Sequence, residues 1–160
     1  MDLNNPIAIS VRGVCNRFGD QTIHDGVDLD VRSGEILGVV GGSGTGKSVL
    51  MRSIIGLTPP RRGKVVWKSQ DIAQLAPHRI CRLGIGFVPE DRRIFPGLTV
   101  DENMRLGLLQ CPGRGRAESA TALERVYARF PRLAQRQKQM GTTLSGGEQQ
   151  MLAIARVLVG

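Results

Sequence analysis

The sequence predicts an α/β fold, and three observations carry that prediction. Two stretches near the N-terminus alternate apolar and polar residues with the period of half-buried strands. A nearly continuous apolar run, "EILGVVG", leads directly into a glycine-rich loop and then into residues with helical spacing. That order is the strand, turn and helix of an α/β unit. After about residue 90 the apolar spacing becomes helical and stays so to the end.

Taken in order, "IAISVRGV" (Ile7 to Val14) reads as a strand and "GVDLDV" (Gly26 to Val31) as a second. "RSG" makes a turn. "EILGVVG" (Glu35 to Gly41) reads as a strand buried on both faces, because its apolar run is almost uninterrupted. "KSVLMRSIIGL" carries apolar residues at Val49, Leu50, Ile54, Ile55 and Leu57, a helix that Gly56, Pro59 and Pro60 stop. "GKVVWKSQDI" (Gly63 to Ile72) predicts a strand and turn. "APHRICRLG" predicts a short helix with Pro77 at its first position, and "IGFV" (Ile85 to Val88) a short strand ended by Pro89. Helices are predicted from Asp101 to Gln110 and from Ala117 to Phe130. A short one follows from Pro131 through Gln139, and the last lies within "LSGGEQQMLAIARVLV" (Leu144 to Val159).

Composition narrows the function classes. At 160 residues the chain can bury a core of its own, and the hydrophobic fraction of 41% is ordinary for a globular protein. No apolar run approaches the ~20 residues that cross a bilayer, and "MDLNNPIAIS" lacks the pattern of a secretory signal. Cys15, Cys81 and Cys111 form no CxxC pair, and His24 and His78 lie near none of them, so no metal site is expected from Cys and His. The net charge of +8 comes from dispersed arginines, and aromatics make up only 4%. Single-strand binders interleave basic groups with stacking aromatics. Direct nucleic-acid binding is therefore not predicted, and the basic surface is read as facing a membrane protein or lipid headgroups.

Gly41-x-x-x-x-Gly46-Lys47-Ser48 is a complete P-loop motif. Its glycines let successive N–H groups converge on phosphate oxygens, and the helix that starts there adds the positive end of its dipole. Lys47 supplies a point charge to the β- and γ-phosphates, and Ser48 a hydroxyl to Mg²⁺. The predicted nucleotide contacts are Gly41, Gly42, Ser43, Gly44, Thr45, Gly46, Lys47, Ser48 and Val49. A glycine-rich turn with an incidental lysine would not need the strand before it and the helix after it.

At the other end, "LSGGEQQ" (Leu144 to Gln150) has two local readings. Ser145 and Glu148 have the spacing of a capping box. Gly146 and Gly147 are poor helix formers, and beside a serine at a helix N-terminus they make an anion-binding surface. The stretch resembles, at every position, the signature of ATP-binding cassette (ABC) ATPases. The resemblance implies a P-loop NTPase of ABC type. Its parts are N-terminal antiparallel strands, a RecA-like core (about residues 1–88), an inserted helical subdomain (about 91–145) and the signature helix (146–160). It also implies that Ser145, Gly146, Gly147 and Glu148 cover, in trans, the γ-phosphate of ATP held by the loop of a second nucleotide-binding subunit.

Other stretches are similar to the same family. Phe18 in "NRFGD" matches the aromatic that stacks on adenine, with a core phenylalanine as the alternative. "GIGFVPEDRRIFPGLTVDEN" matches the segment that senses the γ-phosphate, Mg²⁺ and a membrane-embedded permease. Glu90 stands there at the usual glutamine; it is a candidate for catalysis and for Mg²⁺, and Arg92 to Asn103 is the candidate permease contact. The first part, through "KSVLMRSIIGL", resembles ATPases of lipid-trafficking, organic-solvent-resistance importers. "GFVPEDRRIFPGLTVDENMRLGL" and "TLSGGEQQMLAIARVL" resemble those of branched-chain amino acid importers, which commonly carry "VPE". The join falls between about Leu57 and Ile85.

The family's Walker B strand, which ends in Asp-Glu, has no match in these residues. In "IGFVPED" Pro89 breaks the run, and His24 and His78 do not match the switch histidine. The expectation is a chain truncated before Walker B, with doubtful turnover and apolar surface left open. The resemblance implies an ATP-binding subunit of a bacterial importer on the cytoplasmic face of the inner membrane, with ATP and Mg²⁺ as ligands. A non-hydrolysing ATP-binding scaffold is the second reading. A soluble ABC ATPase of DNA repair or translation is the third.

Overall fold

A computed structural model describes residues 5–160. The chain forms two compact units, the first ending at Leu83 and the second running from Gly84 to Gly160.

The first unit is a four-stranded antiparallel sheet with two helices. β1 (Ile7–Phe18) and β2 (Gln21–Arg32) form a long hairpin, β3 (Arg62–Trp67) pairs with the other edge of β1, and β4 (Gln70–Asp71) closes the order β2-β1-β3-β4. The hairpin runs further than the alternation predicts, because Gly19 at φ 57° lets the chain turn in two residues. An irregularity at Arg12–Gly13 adds a residue to β1. It shifts the inward face from Val11 to Val14 and Asn16, all of them buried. Gly63 meets that bulge so closely that a Cβ there would stand 2.5 Å from the Gly13 carbonyl oxygen.

Helix α1 (Lys47–Ile54) ends as predicted at Gly56. Gly56, at φ 75°, donates to Ser53 O at 3.2 Å and Leu57 to Arg52 O at 2.9 Å, the paired bonds of a left-handed helix stop. α2 (Pro77–Arg82) begins on its proline. Val11, Val14, Leu50, Ile54, Val65, Ile72 and Ile80 supply the buried apolar side chains of this unit.

Two predicted strands are corrected. Glu35–Gly41 forms no ladder, and Ile36 and Val40 stand in the open at 91% and 92% exposure. A strand buried on both faces needs neighbours along both edges and layers above and below. Among the described residues none pairs with this run. Ile85–Val88 is likewise not a strand: Ile85 is buried, but no ladder forms and Pro89 removes a donor at its end.

The second unit is helical. α3 (Val100–Gly107), continued by a short 3₁₀ turn to Gln110, packs on α6 (Gly146–Val159), which also contacts α4 (Arg116–Arg129) and α5 (Pro131–Ala134). Its core is one cluster containing Val100, Met104, Leu123, Val126, Leu133, Leu144, Leu152, Ala155 and Val159. α5 is shorter than the predicted run to Gln139, and turns follow it. Asn103 is fully buried and satisfied: its amide donates to Phe95 O and Thr99 O at 2.9 and 3.0 Å, and its Oδ1 accepts from Phe95 N at 2.8 Å. That side chain fastens the loop ahead of α3. No helix among the described residues is long and apolar enough to cross a membrane.

Candidate functional site: a phosphate loop and a glycine-flanked helix cap

The loop from Gly41 to Gly46 lies at the surface and turns through glycines. Gly44 sits at φ 79° and Gly46 at φ 90°, conformations that favour glycine. Gly46 is the N-cap of α1, and its carbonyl receives the first helical bond from Leu50 N at 2.9 Å. A Cβ at Gly46 would stand 2.5 Å from His24 Nε2 and 2.8 Å from Ile23 Cγ2, so this glycine is required by contact as well as by conformation. Thr45 Oγ1 donates to Gly42 O at 2.9 Å and braces the turn.

Lys47 folds back over the loop. Its Nζ donates to Gly41 O at 2.9 Å and to Gly42 O at 2.6 Å, which places an ammonium at the mouth of the turn. The first turn of α1 carries no acidic residue. The helix N-terminus, with the positive end of its dipole, and the Lys47 ammonium therefore converge on one surface, and the first turn sets no carboxylate against an anion. The arrangement fits a chain of phosphates, and Ser48 follows Lys47 in the first turn of α1. Phe18 ends β1 at 50% exposure.

The second group of predicted residues belongs to the other unit. Ser145 is the N-cap of α6: its N–H donates to Glu148 Oε2 at 2.9 Å, and its Oγ accepts from Glu148 N at 3.4 Å. Arg136 Nε lies 3.2 Å from Glu148 Oε1. The Ser145 amide and the nearby arginines Arg136 and Arg132 hold the Glu148 carboxyl below its ordinary range, against the opposing effect of burial. Gly147 faces open space, and beside Gly146 stands the Arg92 guanidinium, which bonds Gln149 Oε1 at 3.2 Å. Glu90 is exposed on the turn that leads to Arg92. Arg92 and Arg93 take φ 61° and 45°, and Arg156 of α6 donates to Arg93 O at 2.7 Å while lying 5.2 Å over the Phe95 ring. The segment after Glu90 is thus tied to the signature helix at three points.

Sequence reasoning missed those arginine ties and a buried trio, Asn16, His24 and Ser53, beneath the phosphate loop. One signal was readable: Asn16 is a polar residue on the inward face of β1, two places from Val14.

The profile of the ABC transporter family matches residues 24–160. The chain is 37% identical over 139 residues to a high-affinity branched-chain amino acid transport ATP-binding protein, BraG of Pseudomonas aeruginosa, covering 87% of this chain and 58% of that protein. It is 38% identical over 133 residues to a probable branched-chain amino acid transport ATP-binding protein, LivF of Archaeoglobus fulgidus, covering 83% and 55%. The chain thus spans a little over half the length of these curated relatives. A solved ATP-binding subunit of an ABC transporter superposes with a TM-score of 0.81 at 27% identity, over 95% of this chain and 62% of that one.

Proposed function

Because the chain belongs to the ABC transporter family of ATP-binding domains, we propose that it binds MgATP on the Gly41–Ser48 loop as part of an importer's ATP-binding subunit. The observation that carries this reading is the Lys47 ammonium held over a glycine loop that opens an acid-free helix N-terminus. Loop amides hold the β- and γ-phosphates, Lys47 neutralises their charge, Val49 backs the start of the helix, and the exposed Phe18 ring stacks on adenine. Mg²⁺ bound at Ser48 would draw charge from the phosphate oxygens; Glu90 is the acidic candidate for the same ion.

Two copies would close on ATP, each loop facing the Ser145–Gly147 cap of the other. Gly147, bare of neighbours, leaves room there for a phosphate. Arg92 to Asn103 would meet the permease, at the segment that Arg156 and Asn103 hold in shape. The proposed cargo is a branched-chain amino acid, supported by the "VPE" element and by the two relatives. The likeness of the first half to lipid-trafficking importers has no counterpart among the relatives named above.

Lys47→Ala is the first test. MgATP binding, measured by calorimetry, should weaken by about a hundredfold, as expected for removing a charge-assisted contact of about 3 kcal/mol. Unchanged affinity with the fold intact would sink the proposal.

A further inference from the structure

Beneath the phosphate loop lies a polar group that phosphate binding does not use. Asn16 on β1 stands opposite His24 on β2 in the hairpin register. His24 Nδ1 is 2.9 Å from Asn16 Oδ1, and the Ser53 hydroxyl on α1 is shared between the same oxygen at 3.3 Å and Val49 O at 2.9 Å. All three are buried, His24 at 7% exposure and Ser53 at 0%. With an amide oxygen as acceptor, Nδ1 carries the hydrogen, and the orientation of the ring is fixed. Its opposite edge then abuts Gly46: Nε2 and Cδ2 would lie 2.5 and 3.2 Å from a Cβ placed there.

An apolar side chain would fill this space without the desolvation that three polar groups incur. What the polar trio adds is direction. A hydrogen-bonded ring has one orientation, and its edge forms the wall against which the last glycine of the loop closes. We propose that His24 is a positioning residue for the phosphate loop: Asn16 and Ser53 lock the ring, and the ring fixes Gly46 and hence the amides at the start of α1. The inference rests on the nucleotide reading above. A loop held in its binding shape before the ligand arrives loses less entropy on binding.

The test uses variants that leave the loop sequence intact. Asn16→Ala and Ser53→Ala should each weaken MgATP and Mg–tripolyphosphate binding by the same factor, roughly threefold to thirtyfold. His24→Asn keeps a donor near the Nδ1 position but removes the ring edge. In that background the further effect of Asn16→Ala should vanish, because no edge remains to be aimed. In the nucleotide-free protein the Gly46 amide resonance should shift or broaden in both alanine variants. If wild type binds MgATP and Lys47→Ala abolishes it, yet folded Asn16→Ala and Ser53→Ala bind as wild type, the positioning inference alone is overturned. Effects of Asn16→Ala and His24→Asn that simply add overturn it too. If wild type does not bind MgATP, the nucleotide reading has failed first. Should Asn16→Ala not fold by circular dichroism, Ser53→Ala, which removes a single hydroxyl, decides the matter.

Discussion

At the residue scale, single side chains here serve two demands at once. Gly46 meets both a left-handed backbone and the His24 ring, so a substitution there fails on conformation and on contact together. Ser145 caps α6 and also heads the glycine pair proposed to meet phosphate. Glu148 completes the cap, and its charge is held by the Ser145 amide first and by Arg136 and Arg132 as well. Glu102 plays the same part for α3, where the Thr99 amide holds its carboxyl below the ordinary range. A carboxyl whose folded pKa is depressed stabilises the fold fully above its unfolded value, about 4.3 for Glu, and that contribution is lost as pH falls through the folded value. The urea midpoint of wild type should therefore drop as pH falls below about 5. Glu148→Gln, which retains an acceptor for the Ser145 amide, should start from a lower midpoint at neutral pH and fall less on acidification. An identical pH slope in wild type, Glu148→Gln and Glu102→Gln would show that these caps carry no linked proton.

At the element scale, the helices of the second unit were the most legible. Their apolar spacing is set by the 3.6-residue period, and that period is written locally in Val100, Met104 and Leu123, Val126. The stop of α1 at Gly56 and the cap of α6 at Ser145 were readable for the same reason: each is a short-range bond pattern. The strand predicted at Glu35–Gly41 failed because its ladder must come from elsewhere in the chain, and a run of apolar letters does not name its neighbours. The Asn16–His24–Ser53 trio was hidden because its members are up to 37 residues apart. Close helix packing was equally hidden. Gly107, near the end of α3, lies so near α6 that a Cβ would stand 2.1 Å from Arg156 O and 2.5 Å from Val159 Cγ1. Gly107→Ala must push the two helices apart, since backbone cannot yield as a side chain tip can. It should cost about 1–3 kcal/mol, seen as a lower urea midpoint for the helical unit. A wild-type midpoint would mean that the α3–α6 contact relaxes freely.

At the scale of the whole molecule, the conspicuous feature is apolar surface left in the open just ahead of the functional loop. Ile36, Leu37, Val39 and Val40 are all exposed, and the same stretch offers N–H and C=O groups that no described strand engages. Either property alone is ordinary on a protein surface; together they make a template for another extended chain. Covering one such side chain is worth about 1.5–3 kcal/mol. Two copies that pair these runs would gain several such increments, along with a ladder of backbone bonds. The expected result is self-association that grows with protein concentration in sedimentation velocity. Ile36→Lys combined with Val40→Lys should restore the monomer, because both side chains are more than nine-tenths exposed and a lysine at each resists pairing without disturbing a core contact. MgATP affinity of that monomer should match wild type, since neither side chain belongs to the Gly41–Ser48 surface. A wild-type chain that sediments as a monomer at every concentration would mean that the run is not adhesive. Association that survives the double substitution would place the contact on another face.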